Sequence, residues 1–161
     1  MTLSSKKFES CKKENEMELW DEKIDIISDV INNSEKPVLY VGQGCNNYSK
    51  ELTKFVENSN IPITTTIHAM GVYDETNDLS LKFLGMHGSV YANKSIQESD
   101  CIIALGSRFD DRTTGNLDLY APVAKKKRGI IHCNIESDEI NKTVNSPYNY
   151  HMDAGLFMIK L

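Results

Sequence analysis

No apolar run in this sequence approaches the length of a membrane-spanning helix, so a membrane is not an expected partner. Positive charge is in deficit: 18 Lys and Arg stand against 23 Asp and Glu, a formal net charge of −5. That balance argues against nucleic acid as a general partner, because nothing is gained from a phosphate backbone. Cysteine is scarce. Cys11, Cys45, Cys101 and Cys133 are widely spaced and form no C-x-x-C pair, which speaks against a zinc knuckle or a disulfide framework and for buried, inert thiols in a reducing compartment. The four histidines, His68, His87, His132 and His151, have no metal-ligand spacing, and no metal site is expected. There is no G-x-S-x-G, no H-E-x-x-H and no Walker lysine. No nucleophile–base pair can be assembled, and no residue is assigned as catalytic. The first 18 residues hold Lys and Glu but no Arg and no apolar stretch. They are neither a secretory signal nor a typical mitochondrial presequence.

What is present is ordinary for one globular domain: 161 residues, 40 % apolar and 25 % charged, enough to bury a core without staples. Residues 1–17 are polar and weakly patterned and read as a flexible lead. The domain proper is placed at 18–161. Trp20, Ile24, Ile27 and Ile31 make one apolar stripe, so a helix is expected over 19–33, ended before Pro37. Strands are expected at 37–41, 61–66, 100–105 and 129–135, each a short apolar or β-branched run bounded by turn residues. Between them, Ser49 is placed as the cap of a helix carrying Leu52, Phe55 and Val56, and another helix runs through Val90, Ala92 and Ile96. Residues 71–84 read as irregular and 137–140 as a capped helical turn. Lys125-Lys126-Lys127-Arg128 reads as a solvated turn, and the segment after Pro147 has no clear pattern. This alternation predicts an α/β fold: a Rossmann-like three-layer domain with a mostly parallel sheet and helices on both faces. Ligands of such folds sit at the carboxyl ends of the strands.

The residues at those ends are distinctive. Gly42-x-Gly44 allows close backbone approach, although Asn47 breaks the full G-x-G-x-x-G pattern. Gly85-Met86-His87-Gly88 precedes a helix start, where free N–H groups favour an anion and Met and His can pack on a flat ring. Arg108-Phe109-Asp110-Asp111-Arg112 offers two planar guanidinium forks beside two carboxylates. As a surface salt-bridge cluster it would be worth little, but its place after a buried strand points to a ligand. Asn134-Ile135-Glu136 puts an acidic residue where ribose hydroxyls are bound in dinucleotide sites. Together these residues favour holding a phosphate-bearing cofactor over making or breaking bonds.

Three stretches resemble one family in order and spacing: Lys36-Pro37-Val38-Leu39-Tyr40-Val41-Gly42-Gln43-Gly44-Cys45, then Leu84-Gly85-Met86-His87-Gly88-Ser89-Val90-Tyr91-Ala92-Asn93, then Gly106-Ser107-Arg108-Phe109-Asp110-Asp111-Arg112-Thr113-Thr114-Gly115-Asn116. They are similar to the central, FAD-binding domain of acetolactate (acetohydroxyacid) synthase, a thiamine-diphosphate-dependent transferase of branched-chain amino-acid biosynthesis. Residues 114–122, 129–132 and 140–142 look closest to its fungal branch. The resemblance implies a flavoprotein domain that binds FAD in an extended shape with no net redox role. It implies FAD contacts at Gly42 and Gly44, at Thr66, Ile67 and His68, and at Gly85, Met86, His87 and Gly88. Further contacts are implied at Gly106, Arg108, Asp110 and Arg112, and the adenosine end would meet Asn134, Ile135, Glu136, Asp153 and Ala154. Asp111 and Arg112 match positions bordering the substrate channel.

Some positions depart from the family pattern. Gln43 stands where a glycine is usual, Asn134 and Glu136 where two aspartates are usual, Met152 where a glycine precedes Asp153, and His68 where the family is apolar. The thiamine-activating glutamate and the Gly-Asp-Gly metal motif of the family's other domains do not occur in these 161 residues. The expectation is therefore a domain inactive by itself, with thiamine diphosphate and magnesium relevant only if another chain supplies those domains. Expected partners are FAD and either those missing domains or further copies of this chain. The compartment implied is mitochondrial by resemblance, or cytoplasmic on the absence of a targeting segment. Two other readings are a non-catalytic remnant acting as an interaction module and an NAD-dependent deacylase of the sirtuin type, which would need a four-cysteine zinc site.

Overall fold

The computed structural model describes residues 22–161. The lead expected over 1–17, Cys11, and the first residues of the first helix with Trp20 lie outside the described residues.

Six parallel strands form one sheet in the order β3-β2-β1-β4-β5-β6. They are β1 (Pro37–Val41), β2 (Ile63–Thr65), β3 (Ser80–Phe83), β4 (Cys101–Leu105), β5 (Gly129–Asn134) and β6 (Tyr148–His151). The helices are α1 (22–32), α2 (Ser49–Ser59), α3 (Val90–Glu98), α4 (Asp111–Thr114), α5 (Pro122–Lys126) and α6 (Ala154–Lys160). The sheet is parallel throughout, as the continuous apolar strands require: β1, β4 and β5 are covered on both faces. Alternate residues of each strand enter opposite cores. Leu39, Val41, Ile103, Leu105, Ile131 and Cys133 pack with α1, α2 and α6, whereas Val38, Tyr40, Ile102, Ala104 and Ile130 pack with α3 and α5. The result is the three-layer α/β arrangement.

The strand order reverses direction between β1 and β4, the topological switch point at which open α/β sheets bind ligands. The start of this pair is pinned by Asp100, whose two carboxylate oxygens accept the Glu35 and Lys36 backbone N–H groups at 2.9 and 2.8 Å. Burial pushes the Asp100 carboxyl up, but these backbone donors outweigh it and hold the group below its ordinary range.

Several local expectations need correction. The stretch 71–84 contains β3, an edge strand of only four residues, S-L-K-F, none of them fully buried. Its residue Lys82 adopts a positive φ of 66°, at a bulge in the pairing with β2. The segment after Pro147 contains β6 and α6; β6 is the opposite edge, so only Tyr150 of its four residues is buried. Ser49 does not cap α2. Tyr48 occupies the cap position, and the Ser49 hydroxyl donates instead to the Val72 carbonyl at 2.6 Å. The turn at Ser137–Glu139 is a 3-10 turn without a side-chain cap. The basic run is exposed, but Lys125 and Lys126 belong to α5, and Lys125 Nζ donates to the Leu117 carbonyl at 2.6 Å.

The three described cysteines behave as expected. Cys45, Cys101 and Cys133 are free and buried, and burial pushes their thiols up to about 12, 11 and 12.

Candidate functional site

At the carboxyl end of the sheet the strand ladder continues one residue into each loop. Thr66 N–H donates to the Val41 carbonyl (2.8 Å), Gly42 N–H to Leu105 (2.8 Å), and Gly106 N–H to Cys133 (2.9 Å). The loops after β1 and β4 then touch backbone to backbone at the switch point. Gly44 N–H donates to the Gly106 carbonyl at 3.1 Å. A Cβ on Gly42 would lie 2.2 Å from the Gly106 oxygen and 2.5 Å from the Ser107 Cα. Gly106 itself has φ +57° and faces the Gly44 Cα. The close approach that Gly42 and Gly44 permit is thus to a neighbouring loop, and it keeps the switch point free of side chains.

The Arg108–Arg112 segment is organised by Phe109. Its backbone takes a left-handed φ of 55°, and its ring is 1 % exposed, inserted between Tyr40 (5.3 Å between ring centres), Tyr120 (6.1 Å) and His132 (5.0 Å). With Phe109 turned inward, Arg108 and Asp110 on either side are turned out over the strand ends and pair at 3.7 Å. Asp111 and Arg112 open the short helix α4.

Against α4 rests the Gly85–Gly88 turn. Met86 N–H donates to the Arg112 carbonyl at 2.9 Å, and a Cβ on Gly85, whose φ is +127°, would meet that carbonyl at 2.9 Å. Gly88 packs on the Phe83 carbonyl, and Ser89 caps α3 by accepting from Ala92 N–H at 3.0 Å. Met86 and His87 are left exposed.

On the other side, at the end of β5, Asn134 Nδ2 donates to the Ser107 carbonyl at 2.9 Å and Asn134 Oδ1 accepts from Glu136 N–H at 2.9 Å. His132 Nε2 lies 2.9 Å from the same Ser107 carbonyl. Because the partner is a carbonyl, Nε2 carries the proton. Burial pushes the His132 imidazole below its ordinary value, the Ser107 carbonyl opposing in part.

Two adjoining cavities cross these loops. One, of about 420 Å³, is lined by Thr66, Ile67, His68, the 83–87 turn, Arg108 and residues 110–113. The other, of about 340 Å³, is lined by Gln43, Gly44, Thr66, His68, residues 106–108, Asp110 and residues 134–136. Thr66, His68, Arg108 and Asp110 line both, so they mark the junction. The first cavity is bordered by exposed apolar groups, Ile67 at 62 % and Met86 at 67 %, and the second by Ile135 and Glu136. The Thr66 and Ser107 hydroxyls are buried beside the groove with no partner.

Most residues singled out in the sequence therefore converge on one groove. Gly42 and Gly88 support it from behind. Asp153 and Ala154 line neither cavity. The Asp153 carboxylate caps α6, accepting from Gly155 N–H (2.9 Å), Leu156 N–H (3.1 Å) and the Tyr48 hydroxyl (2.8 Å), and Ala154 is buried. Sequence reasoning missed Ser107, Gln43 and the supporting His132. The signal for His132 was available: a polar residue inside an otherwise apolar central strand needs a partner, and the nearest are at the strand ends. A larger cavity, about 590 Å³ between α2 and α6, lies away from all these residues.

Residues 24–161 match the family described as the thiamine pyrophosphate enzyme, central domain. This chain belongs to that family. Among relatives, it is 48 % identical over 122 residues to the chloroplastic acetolactate synthase of Arabidopsis thaliana, covering 76 % of this chain and 18 % of the relative. It is 49 % identical over 113 residues to the chloroplastic acetolactate synthase 2 of Nicotiana tabacum, covering 70 % and 16 %. It is also 45 % identical over 130 residues to the mitochondrial acetolactate synthase of Schizosaccharomyces pombe, covering 76 % and 19 %. The chain thus spans less than a fifth of the length of these relatives. Membership of the thiamine pyrophosphate enzyme family speaks against the deacylase reading. Among the described residues, no group of three or more His, Cys, Asp and Glu is arranged to hold a metal ion, and no helix is long and apolar enough to cross a membrane.

Proposed function

We propose that this central domain binds FAD in an extended shape along the groove, as the cofactor-holding domain of an acetolactate synthase-like protein of branched-chain amino-acid biosynthesis. The observation that carries the reading is the pair of cavities joined at Arg108 and Asp110. A ligand with two ring systems linked by a diphosphate has that shape and polarity. The donor set fits. Arg108 supplies a planar cation at the junction, where a diphosphate would compete with Asp110 for it. Ile67 and Met86 offer an apolar, polarisable wall to a flat ring. Glu136 is exposed beside Ile135 as an acceptor for ribose hydroxyls, and the Thr66 and Ser107 hydroxyls are unpartnered beside the floor.

Bound there, the flavin would shape a neighbouring site without net redox chemistry. This chain's own residues orient the cofactor: the Gly85–Gly88 turn and α4 hold its ring end, Arg108 and Asp110 its centre, and Ile135 and Glu136, on the strand end that Asn134 closes, its ribose side. Asp153 and Ala154 act through α6, which packs against α2 and β5 on one face of the sheet. Asp111 and Arg112, exposed beyond the ring end, would border the substrate channel. Thiamine diphosphate and magnesium would be held by other domains. Val90 and Tyr91, 77 % and 74 % exposed on α3, offer surface to such domains or to a second copy. The compartment would be mitochondrial, as for the fungal relative, or cytoplasmic.

The test is a titration of the purified chain with FAD, followed by flavin fluorescence. Saturable one-to-one binding, weakened at least tenfold by Arg108→Ala, is the expected result; no binding at millimolar FAD refutes the proposal. The 161-residue chain assayed alone with thiamine diphosphate, magnesium and FAD is expected to form no acetolactate from pyruvate.

A further inference from the structure

His132 and Asn134 are two apart on β5 and so project from the same face of the sheet. Both reach one acceptor. His132 Nε2 and Asn134 Nδ2 each lie 2.9 Å from the Ser107 carbonyl, saturating its two lone pairs. All three residues are buried, at 0, 5 and 2 % exposure. The Asn134 amide cannot be turned round, because its Oδ1 already takes the Glu136 N–H. The carbonyl they grip belongs to the peptide that leads into Arg108. One residue further, Phe109 rests edge-on against the same His132 ring at 5.0 Å. Arg108 thus stands between two fixed points, both held by β5.

We propose that His132 and Asn134 are positioning residues: a two-donor clamp on the Ser107 carbonyl that aims Arg108 and Asp110 into the groove. The amide of Asn134 is engaged within the protein at both ends. The position where the family usually carries an aspartate therefore acts here on the loop and not on a ribose. An aspartate could not donate to Ser107, so the amide is required for the clamp. This deepens the FAD reading of the groove, and its binding arm rests on that reading; its spectroscopic arm does not.

Two measurements test the clamp. Long-range 1H–15N correlation of the wild-type imidazole should show His132 held as the Nε2–H tautomer with Nδ1 bare. An Nδ1–H tautomer, or a freely exchanging mixture, overturns the proposal whatever the protein binds. Titrations with FAD, FMN and ADP then compare Asn134→Ala, Asn134→Asp, His132→Phe and His132→Gln, with folding checked by circular dichroism. The clamp predicts that Asn134→Ala and His132→Phe each weaken FAD at least tenfold and weaken FMN and ADP alike, since Arg108 serves both halves. It predicts that Asn134→Asp is worse than Asn134→Ala, and that His132→Gln, which keeps a donor near Nε2, retains most of the affinity. Loss confined to ADP in Asn134→Ala, with ADP bound more tightly by Asn134→Asp, would make Asn134 a direct ribose contact and overturn the clamp. If the wild-type chain binds none of the three ligands, the FAD reading fails and the tautomer alone decides.

Discussion

Phe109 is the anchor on which the geometry of the groove depends, and its removal has a calculable cost. The side chain is 1 % exposed and meets three aromatic or imidazole rings within 6.1 Å. Truncating a buried Phe to Ala costs about 3–5 kcal/mol, from lost transfer energy and the cavity left behind. Ring–ring contacts, worth about 0.5–1.5 kcal/mol beyond burial, push Phe109→Ala toward the upper end. The left-handed backbone adds a second, sign-specific expectation. At an ordinary site Gly is about 0.5–1 kcal/mol less stable than Ala. At φ 55° every L side chain carries a penalty of about 1–2 kcal/mol that Gly avoids. Phe109→Gly should therefore be no less stable than Phe109→Ala, despite creating the larger hole. Urea denaturation followed by far-UV circular dichroism measures both. A domain of this size has about 5–15 kcal/mol of stability, so the variants should remain folded with much lower midpoints. An Ala variant within about 1 kcal/mol of wild type would refute the anchor, since burial alone demands more. A Gly variant clearly below the Ala variant would refute the strained backbone.

Three further expectations follow from the same geometry. Gly42→Ala places a Cβ 2.2 Å from the Gly106 oxygen and should lower the melting stability of the ligand-free protein by about 1–3 kcal/mol or more; an unchanged melt with only cofactor binding lost would return this glycine to a ligand-approach role. Asp153→Ala removes the α6 cap and the Tyr48 partner and should cost about 0.5–2 kcal/mol while leaving ADP affinity intact; the opposite pattern would make Asp153 a ligand contact. His132 has its folded pKa depressed by burial below the 6.5 of the free imidazole. Above pH 6.5 both states are neutral, and below it the unfolded chain gains a proton that the folded chain refuses. Stability should fall as pH drops from 6.5 toward the folded value, and His132→Gln should abolish that part of the pH dependence in urea titrations.

The central layers of the fold were legible because β1, β4 and β5 are buried on both faces, which demands runs that are apolar for most of their length. The edges were not. β3 and β6 are half-exposed, their residues answer to solvent as well as to the sheet, and Lys82 breaks the strand geometry of β3. Most of the candidate site was legible for a related reason: glycines, arginines and aspartates directly after buried strands have few structural uses there. What the sequence could not reveal was direction. Gly42 and Gly44 read as allowing close approach to a ligand, and the structure adds an approach to a loop: Gly44 N–H lies 3.1 Å from the Gly106 carbonyl while Gly44 also lines the groove. Asn134 and Asp153 read from sequence as ligand groups; that each also has partners within the protein, Ser107 and Glu136 for Asn134 and Gly155, Leu156 and Tyr48 for Asp153, has no sequence signature. His132 went unassigned because its partner, the Ser107 carbonyl, is 25 residues away.

FAD binding along the groove is tested most directly by the affinity of the 161-residue chain for FAD, measured by flavin fluorescence titration beside the Arg108→Ala variant. Saturable one-to-one binding to the wild-type chain is expected, with at least a tenfold loss when the cation at the junction of the two cavities is removed. No binding at millimolar FAD, or binding indifferent to Arg108, would contradict it.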